Sequence, residues 1–234
     1  MTLQGLMNHL FQLYGLRNRI FLSGLRERID FLHLAIGDLQ DAIRKGVTKD
    51  KLGTALARVV SRIFCVAENF PSFPLVKTMA RKYPYGKCSY CQQSPCLCPE
   101  KRLNFILEKA SKEQMSWTLR DWGLHLDRLY GERNREKGVE NLVCRLFKEQ
   151  CELLNLQMGT SHKTRVFDSL AGIVEEFALE LADSLAWTIG VANYFGIDLE
   201  QAVLDRYGTA CWKCRKCPCE CLEFKFEQVN WEEI

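Results

Sequence analysis

The sequence has little net charge, because its 32 basic side chains are nearly balanced by 29 acidic ones and leave a formal charge of +3 at pH 7. A protein whose main partner is nucleic acid or an anionic membrane usually carries a larger positive excess. We therefore expect neither as the main partner. The chain also lacks an uninterrupted apolar run of the roughly 18 residues that a membrane span requires, so no transmembrane helix is predicted.

The first residues do not predict a secretion signal. The first residues, MTLQGLMNHLFQLYG, lack a cationic start followed by an apolar core and a small-residue cleavage site. We therefore expect a cytoplasmic protein, in which a reducing environment keeps cysteines as thiols. Histidine is scarce too, and the four histidines show no ligand spacing with one another or with the cysteines.

Cysteine, in contrast, is abundant, with 12 residues in the chain. Two runs, CSYCQQSPCLC at 88–98 and CWKCRKCPCEC at 211–221, share one spacing, a Cys-x-x-Cys turn followed by a Cys-x-Cys turn. Four such thiolates suit a closed tetrahedral site, so we predict structural Zn²⁺ in each cluster. The predicted zinc ligands are Cys88, Cys91, Cys96 and Cys98 in the first cluster, and Cys211, Cys214, Cys219 and Cys221 in the second.

Two alternatives stay open for these clusters. Four closely spaced thiolates also suit an iron–sulfur cluster, and free redox thiols are a third interpretation. The extra Cys217 in the second cluster has no assigned role. No basic stripe with interleaved aromatic residues surrounds either cluster, so a structural clip is favoured over a nucleic-acid contact.

The chain contains an internal repeat. LYGLRNR at 13–19 recurs as LYGERNR at 129–135, and one cysteine run follows each copy. We therefore predict two copies of one module, each ending in a four-cysteine knuckle. The predicted domains are 1–99 with the knuckle 88–98, a helical connector at 100–116, the second copy at 117–225 with the knuckle 211–221, and a tail at 226–234.

Both copies have helical character. Leu, Ala, Glu, Lys and Arg dominate, and apolar residues recur at spacings of three and four, which indicates an all-α fold. The predicted helices are 3–20, 22–45, 49–69 and 74–82 in the first copy, and 117–135, 138–158, 165–195 and 198–207 in the second. Asp198 is the predicted N-cap of the last helix. Cys65, Cys144 and Cys151 lie in apolar helical patterns and are predicted core residues.

Two acid pairs in the second copy stand within otherwise apolar helical patterns, Glu149 with Glu152 and Glu180 with Asp183. Members three residues apart share one face of a helix, so the two pairs can converge across a helix–helix seam. Burying like charges is unfavourable unless something compensates them. Mg²⁺, which prefers carboxylate, water and phosphate oxygens, would do so. The alternative is that these acids lie on solvated helix faces.

The first copy argues against that alternative. Alignment of the copies places Ala35 and Asp38 opposite the first acid pair, and it places Leu56 and Val59 opposite the second. Acids needed only for solubility should not be replaced by apolar residues in one copy. We therefore predict one active half, one inactive half and one Mg²⁺ site in the second copy.

This pattern resembles a known family. Glu149-x-x-Glu152, a gap of 27 residues, Glu180-x-x-Asp183 and then GIDLEQAV at 196–203 are similar to the all-α MazG-like nucleoside triphosphate pyrophosphohydrolases, whose relatives include the dimeric dUTPases. The resemblance covers most of 117–207. It implies that the four acids bind Mg²⁺ and that the chain cleaves a (deoxy)nucleoside triphosphate into a monophosphate and pyrophosphate. Since the family forms dimers of four-helix modules, the tandem chain resembles such a dimer fused into one pseudo-dimeric bundle.

Other residues are candidates for roles at this site, and for Asn193 the role is one that the resemblance implies. Asn193 is expected to contact ribose or phosphate, with a structural role at the helix end as an equal alternative. Glu176, on the face of Glu180, and Arg206 are further candidates for substrate binding, and either Glu149 or Glu152 would orient the attacking water. Arg58, Arg62 and Lys77 of the first copy are candidates to add positive charge.

Two functional classes stay open at this stage. One is the Mg²⁺-dependent enzyme, and the other is a catalytically weak nucleotide-binding sensor or regulatory zinc-containing interaction protein. The base and sugar of the nucleotide, and any further association of two chains, are also left open.

Overall fold

A computed structural model describes residues 1–70, 72–98, 105–158 and 169–221. Within these ranges the chain forms eight α-helices and no β-strand, which confirms the all-α prediction. None of these helices has the length and apolarity to cross a membrane. The helices are α1 (Leu3–Phe21), α2 (Leu25–Arg44), α3 (Lys49–Ala67), α4 (Leu75–Lys82), α5 (Leu119–Lys137), α6 (Val139–Gln157), α7 (Leu170–Tyr194) and α8 (Leu199–Tyr207).

The predicted helices agree with these bounds to within a few residues, apart from the start of α7. That helix begins at Leu170, and the predicted residues 165–168 lie outside the described ranges. Asp198 is the N-cap of α8, as predicted, because its side chain accepts a hydrogen bond from the Gln201 amide. Gly196, with a φ of 62°, makes the left-handed turn that separates α7 from α8.

The two copies of the repeat begin side by side. Thr2 caps α1 and Thr118 caps α5, each by accepting a hydrogen bond from an amide three residues ahead. The two threonines form an isolated antiparallel bridge, and the Leu3 amide donates to the Trp117 carbonyl at 2.8 Å. The first helices of both copies therefore start from one shared point.

The helices pack in corresponding ways in the two copies. Within a copy, α1 packs on α3 as α5 packs on α7. Between the copies, α2 contacts α6 and α3 contacts α7. The short helices cross between copies, because α4 packs on α7 and α8 packs on α3. One hydrophobic core runs through both copies and includes the fully buried Phe64 and Phe177. Each copy therefore presents its short last helix to the long third helix of the other.

Two sequence predictions are wrong. The connector is not helical where it is described, since residues 105–113 contain no helix and only a 3₁₀ turn, Gln114–Ser116, precedes α5. Segment 105–108 is instead held by hydrogen bonds from the Ile106 amide to the Ser89 carbonyl and from the Glu108 amide to the Arg81 carbonyl at the end of α4. Cys65 is buried as predicted, but Cys144 and Cys151 are exposed. They lie seven residues apart on the outer face of α6, whereas Leu146 and Leu153 occupy its buried face.

Candidate active site and metal centres

Three of the four predicted acids converge between α6 and α7. Glu149 is 5% exposed and Glu180 is 7% exposed, and both face Asp183, which is half-buried. One carboxylate oxygen from each of the three lies within 4.8 Å of the other two. We call Glu149, Glu180 and Asp183 the acid cluster. Two buried carboxylates and a half-buried one at this separation form a set of hard oxygen ligands of the kind that Mg²⁺ uses.

Two residues from the first half of the chain complete this cluster. Lys82, at the end of α4, places its Nζ 2.5 Å from Oδ2 of Asp183 and 3.2 Å from the Leu179 carbonyl oxygen. The hydroxyl of the next residue, Tyr83, donates to Oδ1 of Asp183 at 2.5 Å. Both oxygens of Asp183 thus have partners from the opposite copy. Neither Lys82 nor Tyr83 was predicted from the sequence.

Glu152 lies at the edge of the acid cluster. Its carboxylate accepts a hydrogen bond from Lys148 Nζ at 2.5 Å, and the same Nζ is 4.0 Å from Glu149. Although burial acts to raise it, hydrogen bonds from Lys148 and Glu180 lower the pKa of Glu152 to about 2. Glu152 is therefore ionised at neutral pH, and Lys148 adds a second positive charge beside the cluster.

The buried acids behave differently. Burial, reinforced by the charge of Asp183, raises the pKa of Glu149 to about 7. Burial likewise raises the pKa of Glu180 to about 9, because the nearby Lys82 offsets it only in part. The cluster consequently holds protons at neutral pH when no divalent cation is bound. A divalent cation that bound there would displace those protons.

The corresponding place in the first copy has no such chemistry. Ala35, Leu56 and Val59 are buried there, in line with the predicted loss of the acids. The remaining acid, Asp38, pairs with Arg58 at 3.0 Å, and Arg62 lies over the Phe31 ring. The first-copy cations predicted to serve the acid site therefore have partners in their own copy. Lys77, the third, is exposed on α4.

Arg206, a predicted candidate for substrate binding, does not lie at the acid cluster. His125 contacts the Tyr83 carbonyl oxygen at 3.2 Å and His9 contacts the Tyr207 carbonyl oxygen at 2.8 Å, which identifies the two tyrosines as equivalent positions. Arg206 is then the counterpart of Lys82. Because α8 packs on α3, Arg206 lies over the rings of Tyr207 and Trp212. The cation at the acid cluster is therefore the one from the other copy.

The remaining predicted substrate ligands are not part of the acid cluster. Asn193 donates a hydrogen bond to the Gly123 carbonyl at 2.9 Å and so ties α7 to α5. This contact supports the structural alternative for Asn193. Glu176 is half-buried one turn before Glu180, outside the group of converging carboxylates.

Both cysteine clusters have the geometry of a site for one metal ion. The Sγ atoms of Cys88 and Cys98 are 3.6 Å apart and those of Cys91 and Cys96 are 4.0 Å apart, while both matching pairs of the second cluster measure 3.8 Å. Four thiolates about 2.3 Å from one tetrahedral Zn²⁺ would be separated by about 3.8 Å. These separations are far too long for disulfide bonds. An iron–sulfur cluster distributes its four thiolates over two or more irons, so some of its Sγ–Sγ separations exceed the 4.8 Å within which all four Sγ atoms of each cluster lie here.

The clusters also supply thiolates near neutral pH. Although burial opposes it, hydrogen bonds from the amides of Cys91 and Tyr90 lower the pKa of Cys88 to about 7. Amides of Glu220 and Lys216 similarly lower the pKa of Cys214 to about 6. Since the thiolate is the form that binds a metal, each cluster contains a ligand ready for Zn²⁺.

Each cluster docks on the repeated LYG segment of the opposite copy. The Cys96 amide donates to the Leu129 carbonyl at 2.8 Å, and the Cys219 amide donates to the Leu13 carbonyl at 2.8 Å. Tyr130 hydrogen-bonds Cys88, and Arg133 Nη1 lies 3.4 Å from Cys96 Sγ. The repeated segment is therefore a docking site for a cysteine cluster, which explains why it accompanies the cysteines in both copies.

Comparison of the chain with known protein families, curated proteins and solved structures finds no match.

Proposed function

We propose that the protein is a Mg²⁺-dependent nucleotide pyrophosphohydrolase of the MazG-like kind, with its active site at the acid cluster. The observation that carries this proposal is the convergence of Glu149, Glu180 and Asp183 within 4.8 Å, next to Lys82. Buried carboxylates repel one another and raise each other's pKa, so a protein retains them where a divalent cation or a reaction requires them. The sequence resemblance supplies the reaction class.

The donor set fits Mg²⁺, because Glu149, Glu180 and Asp183 offer only oxygens and lie close enough to share one ion. A bound Mg²⁺ would neutralise charge on the phosphate oxygens and acidify a water molecule. Glu152, ionised and outside the cluster, is suited to accept a hydrogen bond from the attacking water and orient it. Lys82 and Lys148 would contact the phosphates. The water oxygen would bond to one of the two phosphorus atoms that share the α–β bridging oxygen. The bond from that phosphorus to the bridging oxygen would break, which separates the monophosphate from pyrophosphate.

The test is pyrophosphate release from a panel of ribo- and deoxyribonucleoside triphosphates with and without Mg²⁺. The Asp183→Asn and Glu180→Gln variants should lose at least about a hundredfold in rate, since each removes a ligand of the ion. Glu175→Gln is the matched control, because Glu175 lies on the same helix but is 50% exposed and pairs with Arg81. Equal rates in the three variants would contradict the proposal.

A second function is favoured by one observation. Lys82 Nζ and the Tyr83 hydroxyl already occupy both oxygens of Asp183, so the charges are partly balanced without a divalent cation. A regulatory protein that binds a nucleotide without hydrolysing it could keep its acids balanced by such contacts, without a divalent cation. Nucleotide binding in calorimetry, without pyrophosphate release at any Mg²⁺ concentration, would identify that function.

A further inference from the structure

We propose that the first cysteine cluster, when it holds Zn²⁺, fixes the end of α4 and thereby keeps Lys82 and Tyr83 at the acid cluster, whereas the second cluster has no such role. The inference rests on the proposed function for its consequence, but its structural content can be measured independently. It makes the first cluster a control point for a site built mainly from the other half of the chain.

α4 depends on support at its end. The helix has only eight residues, and isolated helices shorter than about 12 residues are marginal in water. Its N-cap is Pro74, which makes no side-chain hydrogen bond to the first turn. α8, its counterpart, is capped by the Asp198 side chain. Leu75 and Met79 pack α4 into the core, so the contacts at its last turn decide how firmly the end that carries Lys82 is held.

The last carbonyl groups of a helix have no partner within the helix. In α4 these groups are bound from outside. The Glu108 amide donates to the Arg81 carbonyl at 3.1 Å, the Ser89 hydroxyl donates to the Lys82 carbonyl, and Gln114 Nε2 donates to the Tyr83 carbonyl at 2.8 Å. Three consecutive carbonyls at the end that carries Lys82 are thus fixed.

Ser89 connects this end to the metal site. It is one of the two residues between the ligands Cys88 and Cys91, and it is 1% exposed. Its own carbonyl accepts a hydrogen bond from the Ile106 amide at 3.0 Å. Tyr90, the other intervening residue, packs its ring on Phe105, with centroids 5.3 Å apart. Closing the Cys88–Cys91 turn around a metal ion therefore also fixes Ser89 and segment 105–108 against α4.

The second cluster lacks this connection. Trp212 takes the place of Ser89 between Cys211 and Cys214, has no hydroxyl, and lies under Arg206. α8 faces α3, where Leu56 and Val59 stand in place of acids. Loss of metal from the second cluster is therefore expected to disturb its docking on α1 and to leave α4 in position.

Hydrogen exchange measured by mass spectrometry on the full chain compares Cys91→Ser with Cys214→Ser, two half-buried ligands at the same position in each cluster. Each variant should lose one zinc ion by elemental analysis. We expect Cys91→Ser to speed amide exchange in residues 78–83 by about tenfold or more, because their opening free energy falls. We expect Cys214→Ser to leave those amides unchanged and to speed exchange in α1.

Ser89→Ala is the control for general unfolding of the cluster. It removes the hydrogen bond from the Ser89 hydroxyl to the Lys82 carbonyl and leaves all four metal ligands in place. It should keep both zinc ions and still speed exchange in residues 78–83. Unchanged exchange there in both Cys91→Ser and Ser89→Ala, or equal acceleration by Cys214→Ser, would overturn the inference. If the exchange pattern is as expected but the wild-type protein releases no pyrophosphate, the coupling stands and the proposed enzyme function fails.

Discussion

Lys82 Nζ lies 2.5 Å from Oδ2 of Asp183, a contact between two residues 101 positions apart in the sequence. The lysine belongs to the copy that has lost its acids, and the aspartate belongs to the copy that has kept them. The first copy therefore contributes to the acid cluster of the second. It supplies a cation to a site whose carboxylates come from the other half.

Replacing Lys82 should have opposite effects on Mg²⁺ binding and on turnover. Lys82→Met removes a positive charge that competes with Mg²⁺ for Asp183. We therefore expect the dissociation constant for Mg²⁺ to fall about tenfold, which corresponds to a binding free energy more favourable by about 1.4 kcal/mol. Pyrophosphate release should fall because a phosphate contact is lost. Calorimetry and an activity assay measure the two effects.

Arg206→Met is the matched control for this experiment, since Arg206 holds the equivalent position in the second copy but contacts Tyr207 and Trp212. It should leave Mg²⁺ affinity unchanged. Weaker Mg²⁺ binding in Lys82→Met would show that the lysine does not compete for the cation site.

Mg²⁺ affinity should depend on pH. The pKa of Glu149 is raised to about 7 and that of Glu180 to about 9, so Mg²⁺ must displace protons below these values. We expect affinity to rise from pH 6 to pH 9 and then to level off, with up to about a tenfold gain per pH unit for each proton displaced. Calorimetry in two buffers of different ionisation enthalpy would measure the proton release. Binding without proton release at pH 7 would rule out these carboxyls as the ligands.

The stability of the fold should decrease in mild acid because of His125. This residue is 3% exposed, and burial lowers its pKa to about 4. Between pH 6.5 and pH 4 the unfolded chain binds a proton at His125 more readily than the native chain does. The contribution of neutral His125 to the free energy of unfolding is therefore complete above this range and is lost as the pH falls through it. The full effect is at most about 3 kcal/mol. Urea unfolding of His125→Gln should show a shallower pH dependence than the wild type over this range, and an identical slope would exclude His125 as the cause.

The purified protein should contain one Zn²⁺ in each cysteine cluster. A colourless protein that turns blue-green on replacement of zinc by Co²⁺ is expected for tetrahedral thiolate sites. Removing the metal with a chelator should lower the unfolding temperature, because metal binding contributes directly to folding in segments that lack their own core. Iron and labile sulfide in place of zinc would contradict the spacing of the thiolates.

The sequence predicts local features of this fold well. Helix periodicity located α1 to α8, and the repeated cysteine spacing located both groups of four cysteines that could hold a metal ion, because these patterns depend on neighbours within one or two turns. The convergence of Glu149 with Glu180 was also predictable, since each acid stands in an apolar pattern that must face a neighbouring helix.

The crossing of the short helices could not be predicted in this way. Arg206 was the natural choice for a cation near the acids, because it lies in the same copy and follows them closely. The contact of Lys82 with Asp183 depends on α4 packing against α7 of the other copy, which no local pattern specifies. One signal was present in the sequence, namely the internal repeat. Because it makes Lys82 the counterpart of Arg206, Lys82 could have been considered as a second candidate for the cation near the acids.

We propose above all that the acid cluster directs water to the α–β phosphate bridge of a nucleoside triphosphate. Phosphorus NMR of the wild-type reaction with Mg²⁺ and a nucleotide panel in ¹⁸O-labelled water tests it most directly. We expect a nucleoside monophosphate and pyrophosphate, with one ¹⁸O in one of the two products, and we expect neither product from Asp183→Asn. Release of labelled inorganic phosphate with a nucleoside diphosphate, or unchanged product formation by Asp183→Asn, would contradict it.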